Sequence, residues 1–289
     1  MGFRSGINER QRRVGEELRR ARDAAGLSAS EVGEALGVKG PNISHIEAGR
    51  IGLTLERLNT WLDLCAIDDP GYRAGLSAMS ESSGKGWWTD FKHDVIGRAL
   101  DLAEAEANST ALDSYETLLI PGLLQTRSYS EVIHGYNERK VEFRHRRQKL
   151  LSGEDAPPFR AVIHEAALHM MYGGPTVMRD QLSHLIEVSR LPNVTIQILP
   201  FDCTSFASTD TPFMLLRGPH HRLHTVLLEQ PHGGSFVGDP ESVAKFDQKF
   251  DRIRGLALPP LSASTPTSSA TYRDSLGLIQ HIRYKVQGW

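Results

Sequence analysis

The chain has 289 residues, of which 39% are hydrophobic and 24% are charged, and its formal net charge is -2. These values are typical of a globular protein that is long enough for two or more domains. The sequence contains no apolar stretch of about 18 residues, the length that crosses a bilayer. Its polar start, MGFRSGINERQRR, lacks the apolar core of a secretory signal. Cys65 and Cys203 lie far apart in the sequence, so we expect buried free thiols in a cytoplasmic protein without membrane contacts.

The net charge hides an uneven distribution. Residues 1–50 carry nine basic and seven acidic side chains, a local net charge of +2. Phosphate affinity grows with the number of neutralised charges, so this excess is too small for one subunit to hold a nucleic acid by itself. If the partner is DNA, the charge favours binding by two subunits.

The first predicted helix ends at Gly26, which suits the left-handed position after a helix. Ser28 and Glu31 have the spacing of a capping box and open a second, short helix, in which Val32, Ala35 and Leu36 are expected to face the core. Apolar residues recur at helical spacing in the first helix: Val14, Leu18, Ala21 and Ala25.

A glycine-containing turn follows the second helix, and Pro41 fits the first turn of a third helix. Ile43 and Ile46 are expected to face the core. The residues expected on the outer side are polar: Asn42, Ser44 and His45. Two short helices with this turn and a polar outer face are typical of a helix-turn-helix that reads the major groove. The alternative is a helical bundle that makes only protein contacts.

The segment 14–64 contains the motifs Ala25-Gly26-Leu27-Ser28, Leu36-Gly37-Val38 and Asn42-Ile43-Ser44-His45-Ile46-Glu47-Ala48-Gly49. Through these motifs it resembles the XRE-family, or lambda-repressor-like, DNA-binding domain. The resemblance implies that Arg22 pairs with Glu47 as a structural clamp. It places the family's base-reading positions at Gly40, Pro41 and His45, and its phosphate contacts near Ser28, Ser30 and Arg50.

The segment departs from the family pattern where the third helix begins. Lys39, Gly40 and Pro41 replace the usual hydroxyl or amide side chains, so direct readout of adenine by an amide is lost there. We therefore expect specificity to depend on Lys39, Asn42 and His45, or on DNA shape.

The domain organisation predicted from the sequence has five parts. Residues 1–79 form the helix-turn-helix domain, 80–86 a flexible linker, 87–258 an α+β regulatory and dimerisation domain, 259–271 a Pro/Ser/Thr linker and 272–289 a last helix. The fold class is thus multidomain, with an all-α N-terminal domain and an α+β C-terminal domain. Predicted strands are 117–120, 160–164, 193–199, 213–216 and 225–229. The basic helix 138–151 is either a second phosphate surface or a solvated helix with paired charges.

The second part contains, among other motifs, Trp87-Trp88, Ile120-Pro121-Gly122-Leu123-Leu124-Gln125-Thr126, His164-Glu165-Ala166-Ala167-Leu168 and Leu199-Pro200-Phe201. Through these motifs it resembles the C-terminal domain of actinobacterial WhiJ-like regulators, which are similar to antitoxins. This resemblance implies control by a small acidic partner protein.

No catalytic constellation emerges, so we expect no enzyme, no cofactor and no metal. His164 and His169 are five residues apart and miss the spacing of a zinc-binding helix, and the glycines around Ser235 indicate a loop. His220, His221 and His224 could chelate a metal only with further ligands. A remaining alternative is a ligand sensor with an aromatic pocket in the second domain, built from Trp87, Trp88, Phe91, Tyr115, Tyr129, Phe201, Phe206 and Phe213.

The combined expectation is a homodimeric, sequence-specific transcriptional repressor. Its two third helices would enter successive major grooves about 34 Å apart, on an operator that is an inverted repeat. Dimerisation would come mainly from the second domain.

Overall fold

The computed structural model describes residues 6–205, 210–229, 234–261 and 274–286. Its contacts divide the chain into two compact units. The first comprises the described residues up to Asn108 together with Gly218–His224, and the second comprises the described remainder. The first unit is helical and the second combines a sheet with helices, which confirms the predicted fold class.

The regular structure of the first unit is helical throughout its described residues. A short 3-10 turn, Trp87–Phe91, precedes its last helix. The helices are α1 Glu9–Ala24, α2 Ala29–Ala35, α3 Gly40–Glu47, α4 Leu55–Leu64, α5 Pro70–Glu81 and α6 Gly97–Ala107.

Local capping explains where the first helices begin and end. The Ser28 hydroxyl accepts from the Glu31 amide at 3.2 Å and the Glu31 carboxylate accepts from the Ser28 amide at 2.7 Å, which confirms the predicted capping box. Gly26, Gly37 and Gly49 follow the first three helices with φ of 69°, 64° and 72°, a left-handed conformation that glycine adopts without strain.

The core of the first unit differs in two residues from the sequence expectation. Val14, Leu18 and Ala21 are buried as expected, but Ala25 and Ala35 are exposed. Ala25 is the residue that caps the end of α1. Ala35 lies at the edge of the buried face of α2, which is formed by Val32, Gly33 and Leu36.

The second unit is a mixed sheet with helices. The sheet order is β3-β2-β1-β4-β5-β6; β1, β2 and β3 are parallel, whereas β4 pairs antiparallel with β1, β5 with β4, and β6 with β5. Its strands are β1 Ala111–Glu116, β2 Phe159–His164, β3 Val194–Leu199, β4 Phe213–Arg217, β5 Thr225–Leu228 and β6 Ser235–Val237. Its helices are α7 Arg127–Ile133, α8 Glu138–Gln148, α9 Glu165–His169, α10 Gly174–Val188, α11 Pro240–Leu256 and α12 Ser275–Val286.

One strand prediction and one loop prediction were wrong. The central strand β1 lies at Ala111–Glu116, and residues 117–120 follow it as bends and irregular chain. The apolar run at 117–120 was misleading because β1 itself carries the fully buried Asp113, whose charge is balanced by Arg160 and Arg217. Ser235 begins β6 where a loop was predicted.

The boundaries between the two compact units do not coincide with the predicted domain boundaries, which remain predictions. Residues up to Asn108 join the first unit, in which Arg10 of α1 donates to the Glu104 carboxylate of α6 at 2.7 Å. Within residues 80–86, predicted as a linker, Gly84 accepts a hydrogen bond from the Trp88 indole at 3.2 Å.

The C-terminal segment is part of the second unit. The helix α12 packs on α10, α9 and β3, with Leu278, Ile279 and Ile282 buried, so its apolar face is covered within the unit. Leu276 of the same helix is half-buried. Leu261, expected in a linker, is buried and donates from its amide to Ile196 of β3 at 2.9 Å. Positions 262–273 lie outside the described residues.

We predict that the buried carboxylate of Asp113 is essential for the second unit. Asp113→Ala removes the partner of both Arg160 and Arg217 and should lower the free energy of unfolding by about 3–5 kcal/mol, the penalty for breaking a buried ion pair. Asp247 is the matched control, since it bonds the same Arg217 at 2.6 Å but is 41% exposed. Asp247→Ala should cost less than about 1 kcal/mol in chemical denaturation, and equal losses would contradict the assignment.

Candidate nucleic-acid interface

The turn between α2 and α3 is tight because two glycines permit it. Gly37 has the left-handed φ given above, and the Val38 amide donates to the Gly33 carbonyl at 2.8 Å. A Cβ on Gly33 would lie 2.8 Å from the Val38 carbonyl oxygen, closer than real Cβ contacts come. Gly33 therefore sets how closely the turn returns to α2.

Helix α3 has one buried face and one exposed face. Ile43 and Ile46 are 0% and 4% exposed and pack in the core of the unit. Pro41 occupies the first turn, as predicted, and Lys39 caps the helix without a side-chain hydrogen bond. The Lys39 ammonium is thus not engaged in capping.

The candidate DNA-binding residues are on the surface of the first unit. Gly40 is half-buried. The exposed ones are Ser28, Ser30, Lys39, Pro41, Asn42, Ser44, His45 and Arg50. Lys39, Asn42 and His45 can donate hydrogen bonds to acceptors on base edges, and Arg50 and the serine hydroxyls can donate to phosphate oxygens.

Some of these side chains already interact with each other. The Arg50 guanidinium lies 3.4 Å from Nδ1 of His45, so a base-reading candidate and a phosphate-contacting candidate are neighbours. The Ser28 hydroxyl oxygen accepts from the Glu31 amide, which leaves the hydroxyl hydrogen as a donor. The arrangement therefore offers donors along one edge of the helix-turn-helix.

An ion pair holds α3 against α1. Arg22 donates to Glu47 through Nε at 2.5 Å and through Nη2 at 3.1 Å, and it also donates to the Leu27 carbonyl at 2.9 Å. The hydrogen bond to Glu47 raises the pKa of Arg22 above its ordinary value. This bidentate geometry joins the two residues that the family resemblance pairs as a clamp.

Two further glycines let α1 and α3 approach closely, and neither was predicted to be part of the site. A Cβ on Gly15 would lie 2.7 Å from the Ile46 carbonyl oxygen, and a Cβ on Gly49 would lie 2.7 Å from the Gln11 carbonyl oxygen. Each glycine therefore faces backbone of the other segment. For Gly15 the signal was faint, because a glycine inside an otherwise regular helical pattern only hints at close packing.

Histidines that could have indicated a metal have other partners. His164 caps α9 by accepting from the Ala166 amide at 3.2 Å. In the first unit, His220 lies 3.2 Å from Asp69, a carboxylate that the sequence did not place there. Across the described ranges, no three His, Cys, Asp or Glu side chains are grouped as a metal site. Cys65 is buried and Cys203 is half-buried, both as free thiols.

The aromatic residues considered for a ligand pocket lie in separate clusters. Trp87 contacts Trp88 and Phe91 in the first unit, whereas Tyr115 contacts Phe213 in the second. Tyr129 contacts Tyr172, and Phe201, which is 58% exposed, contacts His164 and His169. Position 206 lies outside the described residues. Most of these rings fill cores rather than line one cavity.

The basic helix α8 has the features of a solvated helix with paired charges. Arg139 bonds Glu142 at 2.5 Å, and Arg127 of α7 bonds Glu138 at 2.5 Å. Val141, Phe143 and Arg147 are buried. This pairing favours the solvated-helix interpretation over a second phosphate surface.

We predict strong coupling between Arg22 and Glu47. A double-mutant cycle with Arg22→Ala and Glu47→Ala should give about 1–3 kcal/mol of coupling in chemical denaturation, since both side chains are mostly buried. Arg254 and Asp251, an exposed pair 3.3 Å apart, are the control and should couple by less than about 0.5 kcal/mol. A coupling energy below about 0.5 kcal/mol for Arg22 and Glu47, as in the control pair, would mean that the clamp has no structural role.

Comparisons with known families match two parts of the chain. A model described as a helix-turn-helix domain matches residues 13–74, and one described as a domain of unknown function (DUF5753) matches residues 99–265, more than half of the chain. No curated protein and no solved structure matches the chain. None of the described helices is long and apolar enough to span a membrane. The helix-turn-helix points to a DNA-binding regulator rather than an enzyme, and the chain belongs to the DUF5753 family.

Proposed function

We propose that the protein is a sequence-specific transcriptional regulator of the XRE type that inserts α3 into the major groove of operator DNA. One observation carries this proposal: Ile43 and Ile46 anchor α3 in the core while Lys39, Asn42 and His45 remain exposed beside it. A helix fixed on one face and lined by donors on the other is what major-groove recognition requires.

The candidate residues have different roles in this proposal. Lys39, Asn42 and His45 contact base edges, and Gly40 and Pro41 let the start of α3 approach the DNA closely. Ser44 supports these contacts from the same outer face. Ser28, Ser30 and Arg50 hold phosphates and set the position of the domain on the duplex.

The proposal includes a homodimer on an inverted repeat. The net charge of +2 over residues 1–50 is too small for strong phosphate binding by one subunit. Two copies, with α3 helices about 34 Å apart, would double the phosphate contacts and read two half-sites on one face of the DNA. The second unit would provide the dimer contacts.

Regulation by a partner is the finer part of the proposal. We place the protein among WhiJ-like, antitoxin-like repressors of actinobacterial type, controlled by a small acidic partner protein. The dispersed aromatic clusters give no support to the alternative, a ligand sensor with one aromatic pocket.

Selection of bound duplexes from a random pool, using the full chain, tests the proposal directly. The wild-type chain should enrich one motif with two inverted half-sites, and a footprint on that motif should cover both. A variant carrying Lys39→Ala, Asn42→Ala and His45→Ala together is the control, and it should enrich no motif. A wild-type chain that enriches no motif contradicts the proposed function.

We predict that Lys39 contributes to sequence discrimination. Lys39→Ala should weaken binding to the selected duplex by about ten-fold or more, the effect of one good base contact, and should weaken binding to random DNA much less. Lys85→Ala removes the same charge from an exposed position outside the helices and is the matched control. Equal losses on both duplexes, measured by fluorescence anisotropy, would mean that Lys39 contacts only phosphate.

A second prediction concerns His45. His45→Ala should relax the preference at one base position of each half-site, since the exposed imidazole is proposed to contact one base edge. Repeating the duplex selection with this variant measures the change. An unchanged motif would remove His45 from base recognition.

A further inference from the structure

A seven-residue segment of the β4–β5 connection belongs to the helical unit. The chain completes β4 at Arg217, contributes Gly218–His224 to the first unit and begins β5 at Thr225. We call Gly218–His224 the tip. Its middle is a 3-10 turn, His221–Leu223, in which the Leu223 amide donates to the His220 carbonyl at 2.8 Å.

Leu223 of the tip fills part of the core that supports the helix-turn-helix. It is 4% exposed and belongs to the same apolar cluster as Ile43 and Ile46 of α3. Gly75 of α5 leaves room for it, because a Cβ there would lie 3.2 Å from Cγ of Pro219 and still nearer to the Leu223 side chain. Withdrawal of the tip would open a cavity in this core.

Two carbonyl groups of the tip accept hydrogen bonds from a buried arginine of α1. Nη2 of Arg13 lies 2.8 Å from the Arg222 oxygen and 3.3 Å from the His224 oxygen. Arg13 is 3% exposed and forms an ion pair with Glu17, which also accepts from the Tyr72 hydroxyl at 2.6 Å. Without the tip, the Arg13 guanidinium would lose both carbonyl acceptors.

Side chains of the tip make a second set of contacts with α5. The Arg222 guanidinium lies 4.0 Å from the centre of the Tyr72 ring, a cation-π distance, and the Tyr72 ring lies 5.6 Å from that of His220. His220 also lies 3.2 Å from Asp69, the residue that caps α5. The tip is therefore bound by apolar, cation-π and hydrogen-bonding contacts together.

The same helix, α1, contacts both the tip and the recognition helix. Arg13 binds the tip, while Gly15 packs against the end of α3 and Arg22 binds Glu47. Arg13, which binds the tip, is thus only two residues from Gly15, whose close contact positions α3.

We propose that the tip holds the helix-turn-helix in its DNA-binding conformation, so that withdrawing the tip lowers the affinity for DNA; this inference rests on the proposed function. Because the tip is covalently continuous with β4 and β5, the connection gives those strands a route to control α3. The contacts that would carry this control are few: Leu223 in the core, Arg13 on two tip carbonyls, and Arg222 on the Tyr72 ring.

Two positions of α5 provide a matched test in the full chain. Gly75→Leu places a side chain where Leu223 lies, whereas Ala74 is the neighbouring residue of the same helix and is exposed. Gly75→Leu should speed hydrogen exchange in peptides covering the tip and weaken binding to the selected duplex by about ten-fold or more. Ala74→Leu should change neither. A released tip with wild-type affinity overturns the inference.

Gly75→Leu is uninformative if it does not melt cooperatively or if hydrogen exchange of its tip is unchanged. In that case, Arg222 variants decide whether tip docking supports DNA binding. Arg222→Ala removes the cation from the Tyr72 ring but keeps both backbone carbonyls, and it should weaken duplex binding by about three-fold. Arg222→Lys retains a cation and should restore most of the affinity. Wild-type affinity in both variants overturns the inference.

The exchange measurement separates this inference from the proposed function. A wild-type chain that selects no duplex contradicts the proposed function, and tip docking is then judged by exchange alone. Slow exchange of the Leu223 amide, lost in Gly75→Leu, supports docking, whereas fast exchange of that amide in the wild-type chain overturns it.

Discussion

The close approach of α1 and α3 is the constraint on which the rest of the first unit depends. Gly15 and Gly49 allow backbone to meet backbone, and the Arg22–Glu47 pair fixes the register of the two helices. Because Ile43 and Ile46 are then directed into the core, the polar residues of α3 face outward. The candidate DNA surface is thus a consequence of how α3 is anchored, and none of its members needs a strained conformation.

The second unit depends on a different interaction, a charged side chain that is buried inside the sheet. Asp113 on the central strand β1 is neutralised by Arg160 of β2 and Arg217 of β4, the two strands that flank it. This network ties the parallel half of the sheet to the antiparallel half at the strand where they meet. Beyond Arg217 the chain enters the first unit as the tip, so a buried charge network and a docked segment are adjacent in sequence.

The sequence predicted the features whose causes are local. Ser28 and Glu31 are three residues apart and fix the start of α2, and Gly26 fixes the end of α1, so both boundaries could be inferred from neighbours. The sequence failed where partners are distant. Asp113 pairs with residues 47 and 104 positions away, and Leu223 packs with helices from the first hundred residues, so neither the position of β1 nor the docking of the tip had a local signal. The contacts of the candidate site residues with DNA remain predictions.

Hydrogen exchange of the full chain, with and without its selected duplex, tests the central claim most directly. If α3 enters the major groove, the duplex should slow exchange in peptides covering residues 37–50 more than in any peptide of the second unit. Protection confined to other segments, with residues 37–50 unchanged at saturating duplex, would contradict the assignment of α3 as the recognition helix.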